Sequence, residues 1–236
     1  MHPLAGRGFA SAADRYDRGR PGYPPEVVDL LGLAPGARVL DLAAGTGKLT
    51  RVLRAAGMDV VAVEPQPAMR ALIPAAVDGR AEAIPLGDAS VDAATIGDAW
   101  HWFDRVRASE ELARVVRPGG VVAVMWQYPM PEGLPDWAPE LGEILLPLRT
   151  DHPAFQQEIA SLDDHPAFEP HVEHNVRFQY ATDRETYGDF VASMSFVASL
   201  DEDQRAAVLE RVAAILPDGP FSLPYQTRVW LSRRRR

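Results

Sequence analysis

The sequence predicts an α/β protein with a doubly wound, mostly parallel sheet of seven strands, helices on both faces, and a cap inserted after the fifth strand. Two observations support this prediction. Apolar, strand-like runs alternate with stretches of helical periodicity over residues 38–126, the pattern of a parallel sheet built from strand–helix–strand units. A proline-rich stretch, 127–171, breaks the alternation, and regular elements return after it.

Two short helices are predicted ahead of the sheet. The first spans Ser11–Arg18. The second, Glu26–Leu33, follows two prolines, and proline favours the first position of a helix because its φ angle is already helical. An Ala-Pro-Gly turn then ends this helix before the first strand.

The core alternates strands and helices that are separated by glycine, proline and short polar turns. Its predicted elements are strand Arg38–Leu42, helix Thr46–Ala56, strand Asp59–Val63, short helix Pro67–Leu72, short strand Val77–Ala81, strand Val91–Ile96, helix Asp104–Arg117 and strand Gly120–Trp126. The last of these is a continuous apolar run, as expected for a strand that is buried on both faces.

Regular structure returns after the cap. The predicted elements are strand His174–Tyr180, helix Arg184–Leu200, helix Asp201–Leu216 and strand Tyr225–Leu231. No flexible linker separates these parts, so we expect one domain. It comprises amino-terminal lid helices (1–33), a core (34–126), the cap insertion (127–171) and closing strands and helices (172–236).

The composition of the chain limits the classes of partner and site that can be expected. The formal net charge is −9, which argues against nucleic acid or an anionic membrane as the main partner. The four arginines at 233–236 are expected to form a solvated tail. There is no cysteine, so a thiolate nucleophile and a cysteine-based metal site are excluded, and no metal site is expected. The sequence lacks a signal-peptide pattern and a run of about 18 apolar residues, which predicts a cytoplasmic protein.

One stretch organises the chain. An apolar strand ends in Asp41-Leu42-Ala43-Ala44-Gly45-Thr46-Gly47, and a helical pattern follows at once. Small residues allow a strand to turn into a helix with its backbone against a ligand. Glu64 ends the next strand, 23 positions after Asp41. A glycine-rich turn with an acid at the next strand end is typical of a site for a ribose-bearing cofactor.

The spacing of the glycines in this turn discriminates between classes of cofactor. A P-loop requires a glycine five positions before Gly47 and a serine or threonine after Lys48, but leucine occupies both positions, 42 and 49. A dinucleotide fingerprint requires a third glycine that is missing here. A nucleotide-cofactor oxidoreductase is therefore the weaker alternative.

Four segments together resemble class I S-adenosylmethionine (SAM) dependent methyltransferases, most closely the small-molecule "type 11" subset, which has a Rossmann-like fold. They are the Asp-Leu-Ala-Ala-Gly-Thr-Gly turn, Val61-Ala62-Val63-Glu64-Pro65, the Gly79–Leu86 loop with Asp88–Asp92, and Arg114-Val115-Val116-Arg117-Pro118-Gly119-Gly120. Their order and spacing match over residues 9–126. Ala43 departs from the commoner glycine, and Arg80 replaces an acid that often contacts adenine.

The resemblance implies a cofactor site. Gly45 and Gly47 would let the backbone approach the methionine end, and helix N–H groups from Thr46 onward would attract its carboxylate. Glu64 would accept the ribose hydroxyls through charge-assisted hydrogen bonds. The full set of expected cofactor-binding residues is Tyr16, Arg20, Ala43, Gly45, Thr46, Gly47, Glu64, Pro65, Gln66, Ala81, Glu82, Gly97 and Asp98. Tyr16 and Arg20 would cover the methionine carboxylate from the amino-terminal lid.

His101 is the candidate general base. It follows the fourth predicted strand, at the sheet edge where open α/β sheets bind ligands, and histidine titrates near working pH. Because Trp100, Trp102 and Phe103 flank it, the alternative is a packing cluster in which His101 bonds only a backbone carbonyl. Both interpretations remain open from the sequence.

The predicted function is methyl transfer from SAM to a small, partly apolar acceptor, since no basic groove is evident. Eight aromatic residues could line an apolar pocket for it: Trp126, Tyr128, Trp137, Phe155, Phe168, Tyr187, Phe190 and Phe196. The sequence identifies neither the acceptor nor the methylated atom. We expect no nucleic-acid or membrane partner and a monomer or homodimer. The alternative outside enzymology is a regulatory protein that binds SAM without transferring its methyl group.

Overall fold

A computed structural model describes residues 13–149, 162 and 165–236. In this part of the chain, six strands form one sheet: β1 (Arg38–Leu42), β2 (Asp59–Val63), β3 (Val91–Gly97), β4 (Val116–Pro129), β5 (Val172–Thr182) and β6 (Phe221–Arg233). Their order is β2-β1-β3-β4-β6-β5. Neighbours among β1 to β4 are parallel, whereas β6 runs antiparallel to both β4 and β5. The predicted α/β class with a mostly parallel sheet is confirmed.

Apolar runs fix the centre of this sheet. Leu40 in β1 and Ala94 in β3 are partners in the parallel ladder, and both are fully buried. Val122 in β4 pairs with Ala94 and is buried as well. Side chains of successive residues point to opposite faces, so buried neighbours such as Val39 and Leu40 require helices on both sides. This is why most buried positions of these strands are apolar, with Asp41 in β1 and Thr95 in β3 as the polar exceptions.

The predicted strand Val77–Ala81 is wrong, and the count falls from seven strands to six among the described residues. Two isolated bridges remain, a parallel one between Val77 and Val63 and an antiparallel one between Arg80 and Ala83. The chain then turns back, because the N–H of Ala83 donates to the carbonyl of Arg80 at 3.1 Å. Gly79 packs so closely that a Cβ there would lie 2.6 Å from Pro85. The tight turn leaves no length for a strand.

Nine α-helices are described: α1 (Ala13–Gly19), α2 (Glu26–Asp29), α3 (Lys48–Ala55), α4 (Pro67–Arg70), α5 (Arg105–Val115), α6 (Ala138–Arg149), α7 (Arg184–Ala192), α8 (Ser195–Ala198) and α9 (Glu202–Ile215). Side-chain caps start three of them. Asp104, Asp183 and Asp201 each accept a hydrogen bond from a backbone N–H in the first turn of the following helix, as N-cap residues do. The helices overlap the predicted stretches and most are shorter, except that α6 lies in the cap, where no helix was predicted.

The predicted continuous helix Arg184–Leu200 is wrong. It is interrupted at Ser193, whose hydroxyl donates to the carbonyl of Phe190 at 2.7 Å. Met194 then adopts an extended conformation with ψ at 130°. A serine that bonds back to its own preceding turn competes with the helical pattern, and α8 starts in a new direction. The break places Ser193 where it can contact the amino-terminal lid.

The cap and the carboxyl-terminal arginines also differ from expectation. β4 continues to Pro129, so the first residues assigned to the cap belong to the sheet. The expected solvated tail is wrong as a free segment, because the backbone N–H of Arg234 donates to Gly120 and that of Arg235 to Ala167, both at 2.8 Å. The pentapeptide Asp-His-Pro-Ala-Phe occurs twice in this region, at 151–155 and 164–168, and the first copy lies outside the described residues.

No helix in the described ranges has the length and apolar character to cross a membrane.

Candidate active site

The turn between β1 and α3 forms the floor of the site. Ala43 adopts a φ of 56° and Gly45 a φ of 60°, a left-handed conformation that costs alanine more than glycine. A Cβ on Gly45 would meet no atom within 4 Å, so its backbone is open on one side. Gly47 has the opposite surroundings, since a Cβ there would lie 2.8 Å from Ile73. Gly45 therefore offers approach to a ligand, whereas Gly47 allows packing.

Asp41 lies beneath this turn with 1% of its surface exposed. Its carboxylate accepts hydrogen bonds from the hydroxyls of Thr50 at 2.5 Å and Thr95 at 3.4 Å. Burial raises the pKa of Asp41 to about 6, and the hydrogen bonds from the two threonines oppose that rise. A negative charge is thus held under the turn at neutral pH at a cost in stability.

Glu64 links the second strand to the turn. One carboxylate oxygen accepts the N–H of Gly45 and the other accepts the N–H of Gln66, each at 2.8 Å. Burial raises the pKa of Glu64, and these backbone hydrogen bonds oppose the rise. Each oxygen keeps a second lone-pair site. Arg70 fixes the same segment, because its guanidinium donates to the carbonyls of Glu64 and Pro65.

Asp98 lies at the end of β3 with a φ of 51°. Its carboxylate accepts the hydroxyl of Tyr23 at 2.7 Å and the backbone N–H of Gln127 at 2.9 Å. Burial raises the pKa of Asp98, against these two hydrogen bonds. A Cβ on Gly97 would lie 2.4 Å from the Tyr23 hydroxyl, so only glycine permits this arrangement.

The amino-terminal lid reaches the site through Arg20. Its guanidinium lies between two rings, 4.9 Å from the centroid of Tyr16 and 5.1 Å from that of Phe190. Its Nε donates to the Ser193 hydroxyl at 3.1 Å. The carbonyl of Gly19 accepts the hydroxyl of Tyr180, which attaches the end of α1 to β5. The lid therefore rests on α7 and on the edge of the sheet.

The loop that follows the missing strand is held by α5. The guanidinium of Arg114 donates to the carbonyls of Leu86 at 2.7 Å and Ile84 at 2.9 Å. Glu111 accepts the N–H of Ile84 at 2.6 Å. Earlier in the loop, the carboxylate of Glu82 accepts the N–H of Asp104 at 3.1 Å. One helix thus fixes both ends of this loop.

His101 lies in a short 3₁₀ turn, Trp100–Trp102, after β3. Its ring is 4.5 Å from that of Trp102 and 4.7 Å from that of Trp126, measured between centroids. Trp100 is buried in the core, whereas His101 remains partly accessible. The aromatic packing predicted for this segment is present, and it holds the imidazole at the wall of a cavity.

A cavity of about 410 Å³ connects these features. Its first part is lined by the turn, the end of β3 and the lid. Its second part is lined by aromatic and aliphatic side chains of α6, α7, α8 and β6. The lining residues used below are Tyr16, Arg20, Ala43, Gly45, Thr46, Gly97, Asp98, His101, Trp137, Leu145, Tyr187, Phe196 and Tyr225.

The comparison with known proteins identifies the family. The methyltransferase domain family matches residues 40–124. An uncharacterized methyltransferase of Mycobacterium tuberculosis (strain H37Rv) is 42% identical over 232 residues, which cover 93% of this chain and 92% of the relative. The chain belongs to the class I SAM-dependent methyltransferases.

Other similarities are more limited. A demethylmenaquinone methyltransferase of Mycobacterium sp. (strain KMS) is 42% identical over 105 residues, 42% of this chain and 45% of the relative. A solved structure from Anaeromyxobacter dehalogenans, assigned as a type II methyltransferase, has a TM-score of 0.67 at 23% identity and covers 92% of this chain and 97% of its own. At that identity the structural likeness establishes the fold alone.

The predicted site residues of this methyltransferase divide into two groups. The cavity brings together most of those assigned to the methionine end, without Gly47, and those assigned to the lid and catalysis: Tyr16, Arg20, Ala43, Gly45, Thr46, Gly97, Asp98 and His101. The cavity lining excludes Gly47, Glu64, Pro65, Gln66, Ala81 and Glu82. Ala81 is buried in the core and Glu82 caps the segment before α5. The roles assigned to the second group remain predictions.

Sequence reasoning missed Tyr23, Gln127 and Ser193. Tyr23 lies in the same Arg-Pro-Gly-Tyr-Pro segment as Arg20, so the segment that indicates Tyr16 and Arg20 also indicates Tyr23. Gln127 and Ser193 contribute through a backbone N–H and a helix break. Neither contact can be predicted from the pattern of residue types.

Proposed function

We propose that this methyltransferase binds SAM at the β1–α3 turn and transfers its methyl group to a small, partly apolar acceptor in the second part of the cavity. The observation that carries the proposal is the continuity of the cavity. Gly45 and Asp98 line it together with Trp137 and Phe196, so a cofactor at the turn and an acceptor under the cap would share one enclosed space.

The residues at the turn fit the methionine end of SAM. The open side of Gly45 provides a cradle that a side chain would fill. Asp41 and Asp98 line the cavity, and buried carboxylates favour a ligand that carries positive charge. The amino-terminal end of α3 attracts a carboxylate. When bound, SAM supplies an activated methyl group on a sulfonium.

The rest of the reaction depends on the chain. The lid and the cap would orient the acceptor and exclude water, and orientation alone can contribute about 7–11 kcal/mol of barrier reduction. We assign His101 the role of general base, because it lines the same cavity as the β1–α3 turn and the aromatic wall, which is formed by Trp137, Tyr187 and Tyr225. An acceptor hydroxyl or carbon acid would give its proton to the imidazole as the methyl group arrives.

Two measurements test this function. Calorimetry should show binding of S-adenosylhomocysteine and no binding of NAD, and the reverse result would contradict the cofactor assignment. Labelled SAM incubated with a metabolite extract should then yield a labelled small molecule. Cofactor binding with no transfer to any extract would favour the non-catalytic, regulatory alternative.

A further inference from the structure

The aromatic wall of the cavity is held rigid by ring contacts. Tyr187 in α7 lies edge-on to Trp137 and to Phe221, with centroid distances of 6.2 and 5.8 Å. Tyr225 in β6 lies 5.4 Å from Tyr180 in the same way. Edge-to-face pairs at these distances are favourable. The two tyrosine rings that border the cavity are therefore fixed by packing before any ligand arrives.

Their hydroxyl groups differ from those of Tyr23 and Tyr180, which have partners within the protein. Tyr23 donates to Asp98, and Tyr180 donates to the carbonyl of Gly19. Tyr187 and Tyr225 are 4% and 2% exposed, yet neither hydroxyl hydrogen-bonds to another of the described residues. Both side chains line the cavity. Two hydroxyl donors without a partner among the described residues thus border a space whose lining on this side is mostly apolar, with Arg149 as the charged exception.

Such donors favour a specific kind of ligand. A hydroxyl at a cavity wall bonds to water when the cavity is empty, and a ligand that displaces this water must accept the hydrogen bond in its place or leave the donor unsatisfied. Burial raises the pKa of Tyr187 and of Tyr225, so both remain neutral donors at physiological pH. Because the surrounding rings stabilise charge poorly, an uncharged oxygen is the better partner.

We propose that Tyr187 and Tyr225 determine acceptor specificity by donating hydrogen bonds to an uncharged oxygen, such as a ketone or ester carbonyl, on a ring-sized apolar acceptor. This inference deepens the proposed function and rests on it. Trp137, Leu145 and Phe196 contact the hydrocarbon part of the acceptor, while the two hydroxyls fix its orientation. The pocket would therefore discriminate between molecules of the same shape with and without that oxygen.

The test uses two probes of similar shape, 1-tetralone and tetralin, which differ in one carbonyl oxygen. Their dissociation constants are measured by ligand-observed NMR with the full-length protein, with and without S-adenosylhomocysteine. The quantity of interest is the ratio of the tetralin constant to the tetralone constant. We expect Tyr187→Phe and Tyr225→Phe each to lower this ratio about fivefold, which corresponds to one hydrogen bond.

Tyr180→Phe is the matched control. It removes a hydroxyl from the same aromatic cluster, but that hydroxyl is bonded to Gly19 and its side chain is not part of the cavity lining. It should lower the melting temperature by roughly 2–4 °C and leave the probe ratio unchanged. Tyr187→Phe and Tyr225→Phe should not lower the melting temperature of the ligand-free protein, because no hydrogen bond is lost.

The outcomes separate this inference from the function beneath it. An unchanged ratio in both variants, or failure of both probes to bind, overturns the specificity role even if S-adenosylhomocysteine binds normally. A lower melting temperature for Tyr187→Phe or Tyr225→Phe contradicts it as well, since that hydroxyl would then have a structural partner. Failure of S-adenosylhomocysteine to bind the wild-type protein counts instead against the proposed function.

Discussion

The two parts of the cavity are built in different ways. On the cofactor side, short polar side chains and backbone groups from neighbouring strand ends contact one another, as in the hydrogen bond from Gly45 to Glu64. On the acceptor side, Trp137 before α6 and Tyr187 in α7 meet through their rings, and Tyr225 in β6 is connected to Tyr187 through the ring of Tyr180. The first side is a backbone framework, and the second is a packed aromatic cluster.

This difference follows the family match. Residues 40–124, which match the methyltransferase domain family, include Asp41, Gly45, Asp98 and His101 but none of the aromatic wall. A shared cofactor requires a shared framework, whereas acceptors differ between enzymes. Changes on the cofactor side should therefore alter cofactor binding or stability, and changes on the acceptor side should alter selectivity.

The largest expected effect lies at the boundary between the two sides. Replacing His101 with alanine should lower kcat by about 100-fold or more, because general base catalysis contributes about 10²–10⁴ in rate. Cofactor affinity, measured by calorimetry, should change little. A kcat within a factor of a few of wild type would instead assign His101 to packing between Trp102 and Trp126.

The next effect concerns Asp41 and the stability of the framework. Its pKa of about 6 lies above the ordinary value of 3.8, so between these pH values the folded state binds more protons than the unfolded state. Stability should therefore fall as the pH rises from 4 to 6, by about 3 kcal/mol for this group, and then level off.

Urea unfolding of the Asp41→Asn variant measures this contribution to the free energy of unfolding. Because asparagine does not titrate, the difference in unfolding free energy between the variant and the wild type should change by about 3 kcal/mol between pH 4 and pH 7. A difference that is independent of pH would show that Asp41 titrates normally in the folded protein.

Asp98 tests the charge of the cofactor side. Asp98→Ala removes a buried carboxylate and leaves the Tyr23 hydroxyl and the Gln127 N–H without their partner. The affinity for S-adenosylhomocysteine should fall roughly thirtyfold, or about 2 kcal/mol. Asp98→Asn, which keeps the shape and an acceptor oxygen, is the control and should retain more of the affinity. Equal, wild-type affinity in both variants would contradict a cofactor role for Asp98.

The smallest effect is expected from Arg114, which holds a loop rather than the ligand. Arg114→Lys cannot bond both loop carbonyls, those of Ile84 and Leu86. The KM for SAM should rise about threefold with kcat unchanged, since only the positioning of the loop is affected. A fall in kcat at constant KM would instead indicate that this loop acts on the acceptor and not on the cofactor.

The cofactor side was largely predictable from sequence because its signals are local. The bounds of β1 and β2 were predicted correctly, since their apolar runs end at clear turn residues. Gly45 and Asp98, which the family resemblance implies as cofactor-binding residues, both line the cavity, and their role stays a prediction. The strand at Val77–Ala81 failed because the turn between Arg80 and Ala83 depends on close packing against Pro85, which composition does not reveal.

For the acceptor side, the sequence predicts that aromatic residues line the pocket but not how they are arranged. Trp137, Tyr187 and Phe196 line the cavity, but the sequence does not distinguish them from Phe168, which is buried in the core. Which tyrosine hydroxyl finds a partner depends on three-dimensional placement, as the bond between Tyr180 and Gly19, 161 residues apart, illustrates. The helix break at Ser193 was missed for the same reason, because its hydroxyl also contacts Arg20 from the lid.

The most direct test of the central claim is a crystal structure with S-adenosylhomocysteine bound. The account predicts that the homocysteine end lies over Gly45, near Asp98, with its sulfur facing the space bordered by His101, Tyr187 and Tyr225. A ligand bound with its adenosine in the aromatic part of the cavity, or with its sulfur walled off from that part, would contradict the account.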